Sequence, residues 1–312
     1  MEKNSKKTSV SSVASHLVLF LAAGVFFCLP ARTGEGQARE GCHVEEIVDQ
    51  DGDLQLLLES EWITMHIQPG LGSTIVRFVF RPTGNDILGE MQPKILQGGG
   101  GLLQDNFWEQ DWRYSEFRGK FYDYQIVKNT PEEVAVAFET KSVGWLQADK
   151  SGLISKLLSD VKIRRTVRLK SGAPYFLFDL ELINQGQNTK LPLMWVHNSS
   201  IIDPSQGDFM HRPSARGIRR IGKTGVLNTS DIGSGDHYVY DFNAGWSACI
   251  APLRKEGIVY LMDYDYIHFL YNCGNTTAEW VYDNVLIPRL RPDEIEAHLP
   301  LAQGRARVKL LA

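Results

Sequence analysis

From residue 43 onward the chain is a succession of short segments in which apolar and polar residues alternate, separated by clusters of turn residues. No stretch sustains a 3.6-residue period, and no repeat of fixed length appears. Many strands at close spacing imply an all-β fold, a sandwich or barrel of mostly antiparallel strands. In residues 62–68, Ile63, Met65 and Ile67 share one face, and Trp62, Thr64, His66 and Gln68 share the other. Pro69-Gly70-Leu71-Gly72 reads as a turn, followed by strands at 74–80 and 86–88. Residues 121–128 and 133–140 predict a hairpin around Asn129-Thr130-Pro131, with Val134, Val136 and Phe138 inward. Residues 161–169 carry charge at Lys162, Arg164, Arg165 and Arg168. In 175–184, Phe176, Phe178, Leu180 and Leu182 form an apolar face, with Asp179 and Glu181 on a face that is solvated or lines a cleft. Further strands are expected at 191–197, 246–251, 258–263, 267–271, 277–282 and 306–311. Residues 203–245 read as long loops, and 152–158 as the one candidate helix.

The N-terminus has a different character. Lys3, Lys6 and Lys7 precede a Ser-rich stretch, and residues 17–29 are almost continuously apolar. This is a secretory signal pattern, too short to span a bilayer comfortably. Residues 1–38 are therefore expected to be a signal peptide and short linker, and 39–312 a single β-sandwich domain. Cleavage fits after Ala31 or Ala38, and an uncleaved anchor is the other reading. The expected destination is the periplasm or the exterior, where disulfides persist. Of Cys42, Cys249 and Cys273, the last two could pair on neighbouring strands; buried thiols are an equal reading. A net charge of −4 with no basic stripe argues against nucleic acid. No later segment is long and apolar enough to cross a membrane.

Three constellations could carry chemistry. Residues 98–113 combine four glycines with Asp105, Trp108, Glu109, Asp111, Trp112 and Arg113. Glycines allow close backbone approach, indoles offer flat apolar faces, and the charged groups offer hydrogen bonds. That mixture suits a carbohydrate; a loop whose tryptophans pack on the core is the alternative. His197 closes an apolar strand beside Asn198, Ser199 and Ser200, a polar group suited to a site rim. A neutral imidazole there could exchange a proton near neutral pH. Glu279 lies between Ala278 and Trp280 on an expected strand, either on an outer face or in a cleft where desolvation would make it a base. No zinc, EF-hand, nucleophile-elbow or phosphate-loop pattern is present, so no metal or cofactor is expected.

Taken in order, these pieces resemble the galactose mutarotase-like superfamily, the β-supersandwich of aldose 1-epimerases and related carbohydrate-active proteins. Residues 62–80 with Pro69-Gly70-Leu71-Gly72 are similar to its opening strand, turn and strand. Residues 98–108 resemble the Gly-Gly segment leading to a Trp. Residues 179–197 resemble the central strand pair that delivers a histidine acid. Glu279 with Leu290-Arg291-Pro292-Asp293-Glu294 resembles the late catalytic glutamate and the turn behind it. The resemblance implies a galactose mutarotase-like β-supersandwich with His197 as general acid and Glu279 as general base. It implies a sugar held by Asp105, Trp108, Trp112 and Arg113. In mutarotation the acid protonates the ring oxygen while the base takes the anomeric proton; the ring opens, rotates and recloses. The two proton carriers would face one cavity, roughly 6–9 Å apart by analogy with paired carboxylates around a sugar.

The chain also departs from the family. Leu96-Gln97 stands where an epimerase has a second histidine, and Arg77 is a poor match for an early Asn-Arg pair. An aldose 1-epimerase-like isomerase, a non-catalytic carbohydrate-binding protein, and a polysaccharide lyase or hydrolase relative using Tyr114 or Tyr122 therefore remain as alternatives, with a structural envelope protein behind them.

Overall fold

The computed structural model describes residues 41–88, 101–107, 117, 120–141, 160–186, 194–198, 208–221, 236–273, 277–282 and 308–311. For 105–107, 194, 195, 197, 221, 236, 237, 273 and 308–311 it describes the backbone. Residues Ala38–Ala312 cluster as one compact unit, and the signal-like segment lies outside the described residues.

β1 (His43–Val48), β2 (Leu54–Glu59), β3 (Ile63–Gln68), β4 (Thr74–Phe80) and β5 (Asn85–Asp86) make a five-stranded meander. β6 (Gln104–Phe107) leaves for another sheet. The hairpin of β7 (Asp123–Thr130) and β8 (Glu133–Lys141) is continued by β9 (Val161–Lys170) and β10 (Phe176–Asn184). β11 (Met194–His197), β12 (Phe209–Ser214), β13 (Gly217–Ile221) and β14 (Asp236–Val239) follow. β15 (Trp246–Ala251), β16 (Glu256–Leu261), β17 (Ile267–Cys273), β18 (Glu279–Tyr282) and β19 (Val308–Leu311) complete the order. The second sheet runs β19-β10-β9-β8-β7, the third β14-β17-β18-β11-β6, and the fourth β13-β12-β15-β16. Every described strand pair is antiparallel, and no α-helix occurs among the described residues.

Period-two patterning explains these elements. Ile63, Met65 and Ile67 of β3 are buried, as are Phe176, Phe178, Leu180 and Leu182 of β10. One core cluster takes side chains from all the first three meander strands, from β8–β10 and from the third and fourth sheets. On the other side of β8–β10, Glu139 meets Lys162 and Arg164, and Arg168 bonds to Asp179. That face therefore carries an ion-pair ladder along its charged row.

Arg165 departs from its charged neighbours. It occupies a core-facing position of β9 and is 1% exposed. Its guanidinium donates to Leu103 O, Gly72 O and Ser73 Oγ, between the rings of Tyr122 (4.9 Å) and Phe178 (5.9 Å). Carbonyl acceptors and ring faces offset the desolvation of the cation. It joins the meander, β9 and the segment leading into β6.

One expectation is corrected. The stretch 203–245 is not loop throughout, because β12, β13 and β14 lie within it. In β12 and β13 the strand signal is weak because Arg212, Arg219 and Arg220 interrupt the apolar alternation, and β14 is short; strand pairing organises all three. Of the two readings open for Cys249, the structure has the buried thiol. Cys42 is a free thiol, pushed up to about 11 by burial and then by Glu61. The candidate helix at 152–158 lies outside the described residues.

Candidate functional site

The third sheet places the two residues of greatest chemical interest on adjacent strands. β11 is flanked by β18 and β6. Met194 pairs with Tyr282, Trp195 with Val281 and Val196 with Trp280. One step further, the Ala278 N–H donates to Asn198 O at 2.9 Å. The intervening level is held by His197 on β11 and Glu279 on β18. His197 is in turn the register partner of Gln104 on β6. On the opposite flank Glu279 pairs with Tyr271, and Tyr271 with Tyr238. One cross-strand row thus reads Tyr238, Tyr271, Glu279, His197, Gln104.

Alternation along β18 separates two faces. Ala278, Trp280 and Tyr282 enter the main core, where Trp280 lies 5.9 Å from the Tyr260 ring. Val281 joins Phe269 and Tyr271 in a separate small cluster on the reverse face. Glu279 has the parity of Val281 and so belongs to that reverse face. Its residue is 4% exposed.

Asn198 holds the row together. Although expected at a polar rim, it is fully buried. Its Oδ1 accepts the Leu103 N–H at 2.9 Å, and its Nδ2 donates to Ala278 O at 3.0 Å. The donor on one side and acceptor on the other fix the amide orientation. Asn198 thereby ties β11 to the approach of β6 and to the start of β18. Gly101 permits that approach: its φ is +106°, and a Cβ there would meet Ile75 O at 2.8 Å and the Thr74 methyl. The backbone pair Ile75–Leu102 bridges in both directions, at 3.2 and 3.0 Å. Arg165 holds the next carbonyl, Leu103 O.

A buried cation lies behind the row. Arg212 of β12 is fully buried; its Nη2 donates to Tyr271 O at 2.6 Å and its Nε to Met210 Sδ at 3.1 Å. Burial lowers its pKa to about 10, while Cys249 and Glu279 act in the opposite direction. Arg212 therefore anchors the strand carrying Tyr271.

Of the residues expected to bind sugar, Trp108, Trp112 and Arg113 lie outside the described residues, as do Leu96-Gln97. Asp105 pairs with Val196, one level away from His197; Gln104 occupies the His197 level. Gln104, Tyr271 and Arg212 were not singled out from sequence as site or support residues, and Asn198 was named only as part of the rim beside His197. Only Gln104, beside the Gly-rich run, and Tyr271, two residues after Phe269, carried a local signal. Arg77, the poor match to the early pair, is exposed and bonds to Asp86 at 3.2 Å. Among the described residues, no group of three or more His, Cys, Asp or Glu is arranged to hold a metal ion.

No protein-family model matches this chain, nor does any curated protein. Solved structures do. A candidate aldose 1-epimerase from Klebsiella pneumoniae subsp. pneumoniae superposes with a TM-score of 0.53 at 12% identity, over 86% of this chain and 82% of that one. A galactose mutarotase-like protein from Clostridium acetobutylicum superposes with a TM-score of 0.52 at 10% identity, over 88% of this chain and 99% of that one. The chain also spans 42% of the length of a TPR-domain containing protein from Parabacteroides distasonis, with a TM-score of 0.49, 11% identity and 83% of this chain covered. With its antiparallel sheets and the first two of these likenesses, the chain has the galactose mutarotase-like β-supersandwich fold.

Proposed function

We propose that this is an exported carbohydrate-binding protein that acts as an aldose 1-epimerase-like isomerase, with His197 as acid and Glu279 as base. The observation that carries this reading is the register: the two residues occupy one level of adjacent antiparallel strands. Residues directly opposite in such a pair have Cβ atoms about 4.5–5.5 Å apart. The ring oxygen and the anomeric oxygen of an aldose are both bonded to C1, so proton carriers closer than the roughly 6–9 Å expected from paired carboxylates can serve both. Neighbouring strands supply that closeness without any movement of the fold. Gln104 on the far side of His197 and Tyr271 on the far side of Glu279 offer hydrogen bonds to the sugar hydroxyls. The structural likeness to a candidate aldose 1-epimerase supports the reading at the level of fold.

The test is polarimetry of α/β interconversion. The wild type should accelerate it for an aldose, and His197→Ala and Glu279→Ala should each abolish the acceleration while sugar binding survives. Full acceleration in either variant refutes the assignment. A non-catalytic carbohydrate-binding protein is the second reading, favoured by Leu96-Gln97 in place of a second histidine and by the burial of Glu279. It predicts sugar-dependent thermal stabilisation with no turnover. A lyase relative would instead release unsaturated uronides, seen as new ultraviolet absorbance.

A further inference from the structure

The face that carries Glu279 continues outward to an exposed aromatic platform. β14 is the edge strand of the third sheet, and its Tyr238 is the register partner of Tyr271. Tyr238 and Tyr240 are 40% and 64% exposed. Their rings are parallel to within 9°, with centroids 6.1 Å apart. Both lean on Phe269, at 5.5 and 5.4 Å, and Phe269 is itself buried. Tyr238 also contacts the buried Tyr271 ring at 4.8 Å, and exposed His268 meets Tyr240 edge-on at 6.4 Å. Two large rings therefore stand in water, held in one orientation by buried rings behind them.

Two exposed rings fixed side by side offer a binding surface that a singly scattered ring does not. Their chemistry selects the occupant. Parallel flat rings receive the C–H face of a pyranose, and each phenol supplies a hydroxyl at the rim for sugar hydroxyls. Rings pre-set by Phe269 and Tyr271 lose little freedom when a ligand arrives. The separation matters as well. From β18, which carries Glu279, to β14 is two strand spacings, about 10 Å at ~4.8 Å each. One sugar at Glu279 does not cover that span; a chain of linked sugars does.

We propose that Tyr238 and Tyr240 form an outer stacking subsite for a neutral oligosaccharide whose terminal residue occupies the level of Glu279. The inference rests on the carbohydrate reading above and deepens it from a free monosaccharide to a glycan chain.

The experiment is titration calorimetry with glucose, galactose and their α-1,4- and β-1,4-linked di- to hexasaccharides. It compares the wild type with Tyr238→Ser/Tyr240→Ser and with Tyr238→Phe/Tyr240→Phe. For at least one series, the wild type should bind the longer members about ten-fold more tightly than the monosaccharide. The double Ser variant should lose that increment with monosaccharide affinity unchanged, and the double Phe variant should keep most of it. If the double Ser variant does not fold, Tyr240→Ser alone should lose at least half of the increment on a logarithmic scale. Monosaccharide binding with no dependence on length would overturn the subsite and leave the proposed function standing. Retention of the increment in the Ser variants would overturn it as well. A dimer in sedimentation that those variants dissolve, with sugar affinity unaltered, would assign the platform to a second copy of the chain. Failure of every sugar to bind would overturn the carbohydrate reading itself and the subsite with it.

Discussion

Removing the Asn198 amide tests whether the candidate site is held by one buried side chain. In Asn198→Ala the Leu103 N–H and the Ala278 carbonyl both lose their partner, at 2.9 and 3.0 Å respectively, in a fully buried setting. Each stranded backbone group costs about 1–3 kcal/mol, so the pair costs about 2–6 kcal/mol. In a domain of this size each kcal/mol lowers Tm by roughly 2–4 °C, so the smallest expected drop is about 4 °C. Asn198→Asp sharpens the test at constant shape. The ionised carboxylate still accepts from Leu103, but its second oxygen faces the Ala278 carbonyl and the charge is buried. Only the protonated acid can donate to Ala278, so folding raises the Asp pKa. The folded state then binds the proton more tightly than the unfolded one. The variant's stability is complete below the unfolded value near 3.9 and is lost as pH rises toward the folded value, by up to about 1.4 kcal/mol per pH unit. Urea denaturation of both variants and the wild type between pH 4 and pH 8 measures this, with wild-type differences subtracted. A loss below about 0.5 kcal/mol in the Ala variant, or a pH-independent deficit in the Asp variant, would show that Asn198 is not the tie between β6, β11 and β18.

Other expectations follow from the same geometry. Gly101→Ala combines a left-handed backbone with a Cβ 2.8 Å from Ile75 O, so it should cost about 2–4 kcal/mol in chemical denaturation; a neutral effect would refute the close approach. His66 donates from Nδ1 to Gln55 Oε1 at 2.9 Å, and burial, then Arg77, hold its pKa below the ordinary value. The stability it contributes is complete above about pH 6.5 and is lost as pH falls through the folded value, so His66→Gln should flatten the acid side of the stability–pH curve. An unchanged acid slope would contradict that. Arg165→Ala strands the carbonyls of Leu103 and Gly72 in the core and should destabilise by about 2 kcal/mol or more, read from the urea midpoint; a wild-type midpoint would refute its bridging role.

Much of the architecture was legible as strand periodicity. β3, β9 and β10 follow the alternation of Ile63, Met65 and Ile67, of Val161 through Leu169, and of Phe176 through Leu182, because a pleated strand with one wet face must alternate. The strands β12 and β13 were not legible, since arginines at 212, 219 and 220 break that alternation, and β14 is too short to show one; β12 also pairs with β15 and β14 with β17, later in the chain. Arg165 was illegible for a related reason. It looks like its neighbours Arg164 and Arg168 in sequence, and only the parity of β9 turns it inward to waiting carbonyls.

The candidate site divides along the same line. His197 and Glu279 stand out locally, each as an ionisable group on an apolar strand, and residue chemistry alone suffices to nominate them. Their shared level depends on the register between segments more than eighty residues apart, which local pattern does not encode. The same is true of Asn198, which reads as a rim residue in sequence and becomes a buried tie because Leu103 and Ala278 arrive on either side of it. Chain chemistry determines which residues can alternate, ionise or stack. Long-range strand pairing, which must satisfy every buried N–H and carbonyl at once, decides which of them meet.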